Sequence, residues 1–233
     1  AILTGKPITG ASVALTLSAK VQKAAWDALK GQTGAVVVLE ADTGRIIAMV
    51  SKPSYNPNLL ASHDEDTVIN AYKKLSEDKS NPLVNRGIDG KMNPPGSTFK
   101  LVVASAALES GRYTPDSVFP NPTALKLPGT NSWIHNSGGG TCGPGKTVTM
   151  RDALRISCNI PFAELGLQLG QNTIAAQAER FGFGKSFNLP MSSTASEYPK
   201  NMDDAQTALS SFGQFDDKAS PLQMAMVSAA IAK

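Results

Sequence analysis

Ser97 and Lys100 stand three residues apart in Ser97-Thr98-Phe99-Lys100. On a helix that spacing puts a hydroxyl and an amine on one face, within reach of each other. An amine that has shed its proton can take the proton of a hydroxyl, so the pair has the parts of an activated serine nucleophile. The preceding Pro94-Pro95 cannot be helix interior, and Gly96 lets another backbone or a ligand come close. Ser97 is thereby presented at a helix N-terminus, where free N–H groups and the dipole favour developing negative charge. A lysine at the same positive end and partly desolvated loses its proton more readily, which makes it a usable base. Ser-x-x-Lys is a short motif, however, and a capping serine with a lysine lying along the first turn accounts for it when it is taken alone.

A second constellation follows 60 residues later, where Ile156-Ser157-Cys158-Asn159-Ile160 ends a helical pattern. Ser-x-Asn on a short connection can turn a hydroxyl and a carboxamide into one cleft, although ordinary polar residues at a helix end would look the same. The elements that must position these groups are readable. Leu101 to Leu108 is apolar nearly all round, as expected of a helix buried at the centre of a soluble fold. Upstream, Ser18 can cap a helix with Val21, Ala24, Ala25, Ala28 and Leu29 on one face. Ala35–Glu40 and Ile46–Val50 flank Asp42-Thr-Gly-Arg45 as a hairpin. Residues 63–79 form a solvated, mixed-charge helix, and 111–146 are a long loop broken by prolines and glycines. Helical patterns resume over 149–159, 162–169 and 172–181, and Ser220-Pro221 opens a last helix reaching Ile231.

The 233 residues are 41% hydrophobic and 18% charged, which rules out disorder, collagen-like repeats and coiled coil. The net charge of +3 is spread along the chain with no basic run, so nucleic acid is not an expected partner. No apolar stretch approaches the ~20 residues of a membrane span. His135, beside Trp133, reads as a surface residue, with no second ligand at metal spacing. Glu164 reads as part of a solvated helix face, and Phe181, Phe183 and the 222–226 region read as core. Cys142 and Cys158 could be two buried thiols or one bridge, and their number does not decide.

The two motifs in this order match the serine acyl-transferase arrangement of β-lactamases and penicillin-binding proteins. The chain resembles the transpeptidase domain of a class B penicillin-binding protein of the actinobacterial, division-associated type. The resemblance runs through Leu15-Thr-Leu17, Gly34-Ala-Val-Val, Thr43-Gly-Arg-Ile-Ile-Ala-Met49, Pro53-Ser-Tyr-Asn-Pro-Asn58, Asn85-Arg86, Pro94-Pro-Gly-Ser-Thr-Phe-Lys100, Ser157-Cys-Asn159, Phe181-Gly-Phe-Gly184, Gly213-Gln214 and Pro221-Leu-Gln-Met-Ala225. Single members are common; the ordered set is specific.

The resemblance implies an α+β fold, an antiparallel sheet flanked by helices, over 13–233, with 1–12 as a connector from a missing N-terminal region. It implies a D,D-transpeptidase that cross-links peptidoglycan stem peptides ending in D-Ala-D-Ala and is acylated by β-lactam antibiotics, with no cofactor. Ser97 would be the nucleophile and Lys100 its base, with Ser157 relaying a proton to the leaving nitrogen. Asn159 would be the amide partner of Lys100 and the substrate carbonyl, and the Ser97 N–H would be one oxyanion donor. The other readings are a β-lactam sensor or scaffold and a serine β-lactamase, for which no Glu-x-x-Leu-Asn pattern is found. The family's third motif, Lys-Thr-Gly or Lys-Ser-Gly on a strand lining the cleft, is absent: Lys146-Thr147 continues with Val148 and Lys185-Ser186 with Phe187. The chain is therefore expected to stop before that strand, leaving part of the fold elsewhere. The family works at the outer face of the bacterial membrane, held by an N-terminal anchor and alongside cell-wall and division machinery. That oxidising setting predicts a Cys142–Cys158 disulfide beside the Ser157-x-Asn159 motif.

Overall fold

The computed structural model of the chain describes residues 12–233, so all but the last residue of the expected connector lies outside the described residues. Helix α1 (Ala19–Leu29) follows Ser18, as expected, but the Ser18 hydroxyl makes no cap; its backbone N–H bonds Ile47 O instead. The helix is fixed by Gln22, whose carboxamide donates to Met49 O at 2.7 Å and accepts from Met49 N at 2.8 Å. Gln22 thus serves β2 as a neighbouring strand would. Strands β1 (Gly34–Leu39) and β2 (Ile46–Lys52) form the expected antiparallel hairpin, in register Val36 to Val50. Helix α2 (Glu65–Glu77) has no buried residue, in keeping with its mixed-charge sequence.

The core lies between the helices. After a 3-10 turn over Gly96–Phe99, helix α3 (Lys100–Glu109) buries Val102, Val103, Ala104, Ala106 and Ala107. Burial is not complete all round, since Leu108 remains 44% exposed. Helices α4 (Met150–Ile156), α5 (Ile160–Leu169) and α6 (Gln171–Arg180) follow the three expected helical segments. Phe162, Leu165, Ile174 and Ala178 fill the centre with Phe99 and Phe183, while Phe181 is only partly buried. The long 111–146 segment is stitched down by short antiparallel pairs. Strand β3 (Val118–Pro120) pairs with β6 (Thr147–Thr149), and β4 (Leu125–Lys126) with β5 (Trp133–Ile134).

Helix α7 (Asp204–Ser210) is an element that periodicity did not announce. Its signal is local: Asp203 and Gln206 form a reciprocal capping box. Helix α8 (Pro221–Ala232) starts on the expected Ser220 cap, whose Oγ accepts from Gln223 N at 3.1 Å. No helix among the described residues is long and apolar enough to cross a membrane. The architecture is α+β, with every paired strand antiparallel.

Candidate active site

Ser97 is exposed in the 3-10 turn, and Lys100, one turn on, is fully buried. Contacts on two sides seat this turn. Gly96 N–H donates to Gly213 O at 2.9 Å, so the segment after α7 lies directly against the residue before Ser97. On the inner side, Phe99 stacks on Tyr198 at 5.5 Å between ring centroids and meets Phe183 edge-on at 5.6 Å. The serine is therefore held from both sides by groups far away in sequence.

Helix α4 ends at Ser157 in the left-handed region, φ 63 and ψ 42. A side chain there costs roughly 1–2 kcal/mol. The turn is closed by Ser157 N–H to Leu154 O and Cys158 N–H to Ala153 O, and it aims both Ser157 oxygens at Lys100. The Lys100 amine lies 3.1 Å from Ser97 Oγ, 2.7 Å from Ser157 O, 3.3 Å from Ser157 Oγ and 2.9 Å from Asn159 Oδ1. The four residues singled out in the two motifs thus meet at one nitrogen.

The valence of that nitrogen is informative. Two of its four neighbours, the Ser157 carbonyl and Asn159 Oδ1, can only accept. A neutral amine has two hydrogens and one lone pair. If the two hydrogens go to the two obligate acceptors, the lone pair is left for a hydroxyl hydrogen, and Ser97 Oγ is the nearer hydroxyl. Burial acts in the same direction: with no carboxylate in contact and the Phe162 ring 5.8 Å away, desolvation lowers the Lys100 pKa to about 8. At pH 7 about one molecule in ten then carries the free amine, against about one in three thousand for an ordinary lysine.

Cys142 and Cys158 are joined in a disulfide, with Cα atoms 5.7 Å apart. Asn121, absent from the candidate residues, holds the same loop: its Nδ2 donates to Cys142 O at 3.2 Å and Gly145 O at 3.1 Å, and its Oδ1 accepts from Cys142 N. The cystine ties that loop to the residue after Ser157, and Asn121 holds the loop at its Cys142 end.

Glu164 departs from expectation. It is half-buried, and its Oε2 is shielded without a hydrogen-bond partner, so burial raises its pKa; it is not on a solvated face. It makes no hydrogen bond to Ser97, Lys100 or Ser157. His135 is exposed, as expected, and its ring bonds Thr123 O at 3.0 Å. Among the described residues no cluster of His, Cys, Asp and Glu could hold a metal ion.

The model of the penicillin binding protein transpeptidase domain matches residues 34–233. The chain is 41% identical to peptidoglycan D,D-transpeptidase PbpA of Mycolicibacterium smegmatis, over 98% of this chain and 48% of the relative. The corresponding protein of Mycobacterium tuberculosis is 37% identical, again over 98% of this chain and 48% of its own length. A solved structure of M. tuberculosis penicillin-binding protein A, a penicillin G acyl-enzyme complex, superposes with a TM-score of 0.92 at 36% identity, covering all of this chain and 54% of that one. The chain spans about half the length of the curated relatives it matches.

Proposed function

The chain belongs to the penicillin-binding protein transpeptidase family, and from that premise we propose that it is the acylating part of a peptidoglycan D,D-transpeptidase with Ser97 as its nucleophile. Lys100, as the free amine, takes the Ser97 proton while Oγ attacks the carbonyl carbon of the penultimate D-Ala of a stem peptide. A tetrahedral oxyanion forms, and the Ser97 backbone N–H is one of its donors. The bond to the nitrogen of the terminal D-Ala then breaks. That nitrogen takes a proton by way of Ser157, and Ser97 is left as an ester. An amine from a neighbouring strand attacks the ester carbonyl and gives a proton to Lys100; the bond to Ser97 Oγ then breaks, that oxygen takes the proton back from Lys100, and the cross-link is closed. Asn159 holds the amine through Oδ1 and orients the substrate amide.

A β-lactam enters the same route and stops at the ester, because its ring-opened amine stays tethered to the acyl group. The substrate is extracytoplasmic, and the cystine fits an oxidising compartment. The protein acts at the outer face of the bacterial membrane, with the cell-wall and division machinery as its setting.

The observation that carries this reading is the Lys100 amine, buried and without an acidic partner, set between Ser97, Ser157 and Asn159. The test is labelling of the full-length protein with a fluorescent penicillin. Ser97→Ala is expected to abolish the label, and the wild-type label should persist for hours. Equal labelling of Ser97→Ala would remove the nucleophile assignment. Rapid loss of the wild-type label would favour a β-lactamase.

A further inference from the structure

Asn159 stands at the N-cap of α5, the position where an asparagine side chain ordinarily accepts a hydrogen bond from the first turn of its own helix. Here it makes no such cap. Its Oδ1 is committed to Lys100, and its Nδ2 donates to His135 O at 3.0 Å. The free N–H groups at the start of α5 still need acceptors, since a buried unpaired donor is costly. Pro161 removes one of them by having none. Two others are taken by a residue 23 positions upstream of Asn159. Asn136 Oδ1 accepts from Asn159 N at 2.9 Å and from Ile160 N at 3.0 Å, while its Nδ2 donates to Gly140 O at 3.1 Å. Asn136 is itself buried, at 6% exposure.

We propose that Asn136 is a positioning residue for acylation: by holding the N–H groups of Asn159 and Ile160, it fixes the backbone from which the Asn159 carboxamide faces Lys100. Residues 135 and 136 together hold Asn159 by its backbone N–H and by its side-chain NH2. With Nδ2 fixed on the His135 carbonyl, Oδ1 is the only end of the amide left for the amine. Without Asn136, the N–H groups of Asn159 and Ile160 would lose their acceptor, and the backbone that carries the Asn159 side chain would be free to shift away from Lys100. Lys100 would then lose one of its two obligate acceptors, and the second hydrogen of the amine would compete for Ser97 Oγ. The role rests on the reading of Ser97, Lys100 and Asn159 as reacting groups.

A double-mutant cycle in the full-length protein tests it, with the second-order rate of acylation by a fluorescent penicillin and the melting temperature read for every variant. Asn136→Ala is expected to slow acylation roughly 10- to 100-fold, the scale of a misplaced reacting group. Asn136→Asp keeps the double acceptor but loses the donor to Gly140 O and should recover part of the rate, whereas Asn136→Gln, which moves the acceptor by a methylene, should not. In an Asn159→Ala background Asn136→Ala should cost nothing further in rate, although it still lowers the melting temperature. An undiminished loss in that background, or a wild-type rate for both Asn136→Ala and Asn136→Gln, would overturn the proposal. Should Asn136→Ala fail to fold, the contrast between the Asp and Gln variants decides alone. If wild type and Ser97→Ala label equally, it is the proposed function that has failed; if wild type labels, Ser97→Ala does not, and Asn136→Ala and Asn136→Gln label at the wild-type rate, it is this inference.

Discussion

Gly213→Ala probes how Ser97 is seated without touching any group that reacts. Gly213 is buried, has φ +76, and its carbonyl holds Gly96 N–H. A Cβ built there would lie 2.7 Å from Gly96 N and 2.6 Å from Gly96 C, and closer still to Gly96 O. All three are backbone atoms, so no side chain can swing away. Relief requires the two segments to part by about 1 Å, and a displacement of that size at a reacting centre is worth about 10²-fold in rate. The left-handed backbone adds about 1 kcal/mol of strain for alanine. Gly166→Ala is the control. Its Cβ would strike the Ser211 side chain at the end of α7, so it disturbs the same segment two residues before Gly213 without a clash on the Gly96 backbone. Acylation by a fluorescent penicillin would be measured well below each variant's melting temperature. Gly213→Ala is expected to lose about 10²-fold in rate and Gly166→Ala much less for a similar loss of stability. Equal effects on rate, or none for Gly213→Ala, would refute the claim that the Gly96–Gly213 contact sets the position of Ser97.

Three further outcomes are expected. If the free amine of Lys100 is the base, acylation should rise about tenfold per pH unit below about 8 and level off above it, and Lys100→Ala should lose about 10²–10⁴-fold; a flat profile from pH 6 to 9 would point elsewhere. Replacing both Cys142 and Cys158 by alanine opens a loop with a sequence separation of 16, worth up to ~3 kcal/mol in the chain-entropy account, so the melting temperature should fall and acylation slow as Ser157 loses its anchor; unchanged melting would contradict it. Asp217 is fully buried, with Oδ1 accepting from Ser210 Oγ at 2.8 Å and Oδ2 unpartnered, and desolvation raises its pKa to about 8. Its folded form holds a proton that the unfolded chain gives up at about 4, so stability falls with rising pH across that interval. Asp217→Asn should therefore melt at or above the wild type, by a margin that grows from pH 5 to pH 8, as a thermal scan at several pH values would show.

The four residues of the proposed site were legible because their information is local. Ser97 and Lys100 share one turn, Ser157 and Asn159 flank one cysteine, and the Pro-Gly approach and the apolar helix behind them are short-range patterns. What supports them was not legible. Asn121 and Asn136 sit in a loop where asparagine is common, and their partners lie more than twenty residues away; only a fold says which of many loop asparagines turns inward. Gly213 looks like any turn glycine until Gly96 is placed beside it. Helix α7, with seven residues, gives periodicity too little length, although its capping box is present in the sequence. Glu164 was misjudged for a related reason: a charge on an otherwise apolar helix looks solvated until the neighbouring helices close around it.

The depressed pKa of Lys100 also has a thermodynamic side. In the unfolded chain this lysine keeps its proton up to about pH 10.5, and in the fold it releases it at about 8. Between those values the unfolded chain binds the extra proton, so lowering the pH through that window draws the equilibrium toward unfolding. Below about 8 the fold carries the whole burden of an ammonium kept from water. As far as this residue is concerned, the full cost is present everywhere below about pH 8, and resistance to unfolding should improve on the alkaline side, where the amine is neutral. Selection for greater stability at this position would therefore run against selection for a usable base, because the shielding that would make the amine a base is the same shielding that makes its ammonium form costly to fold.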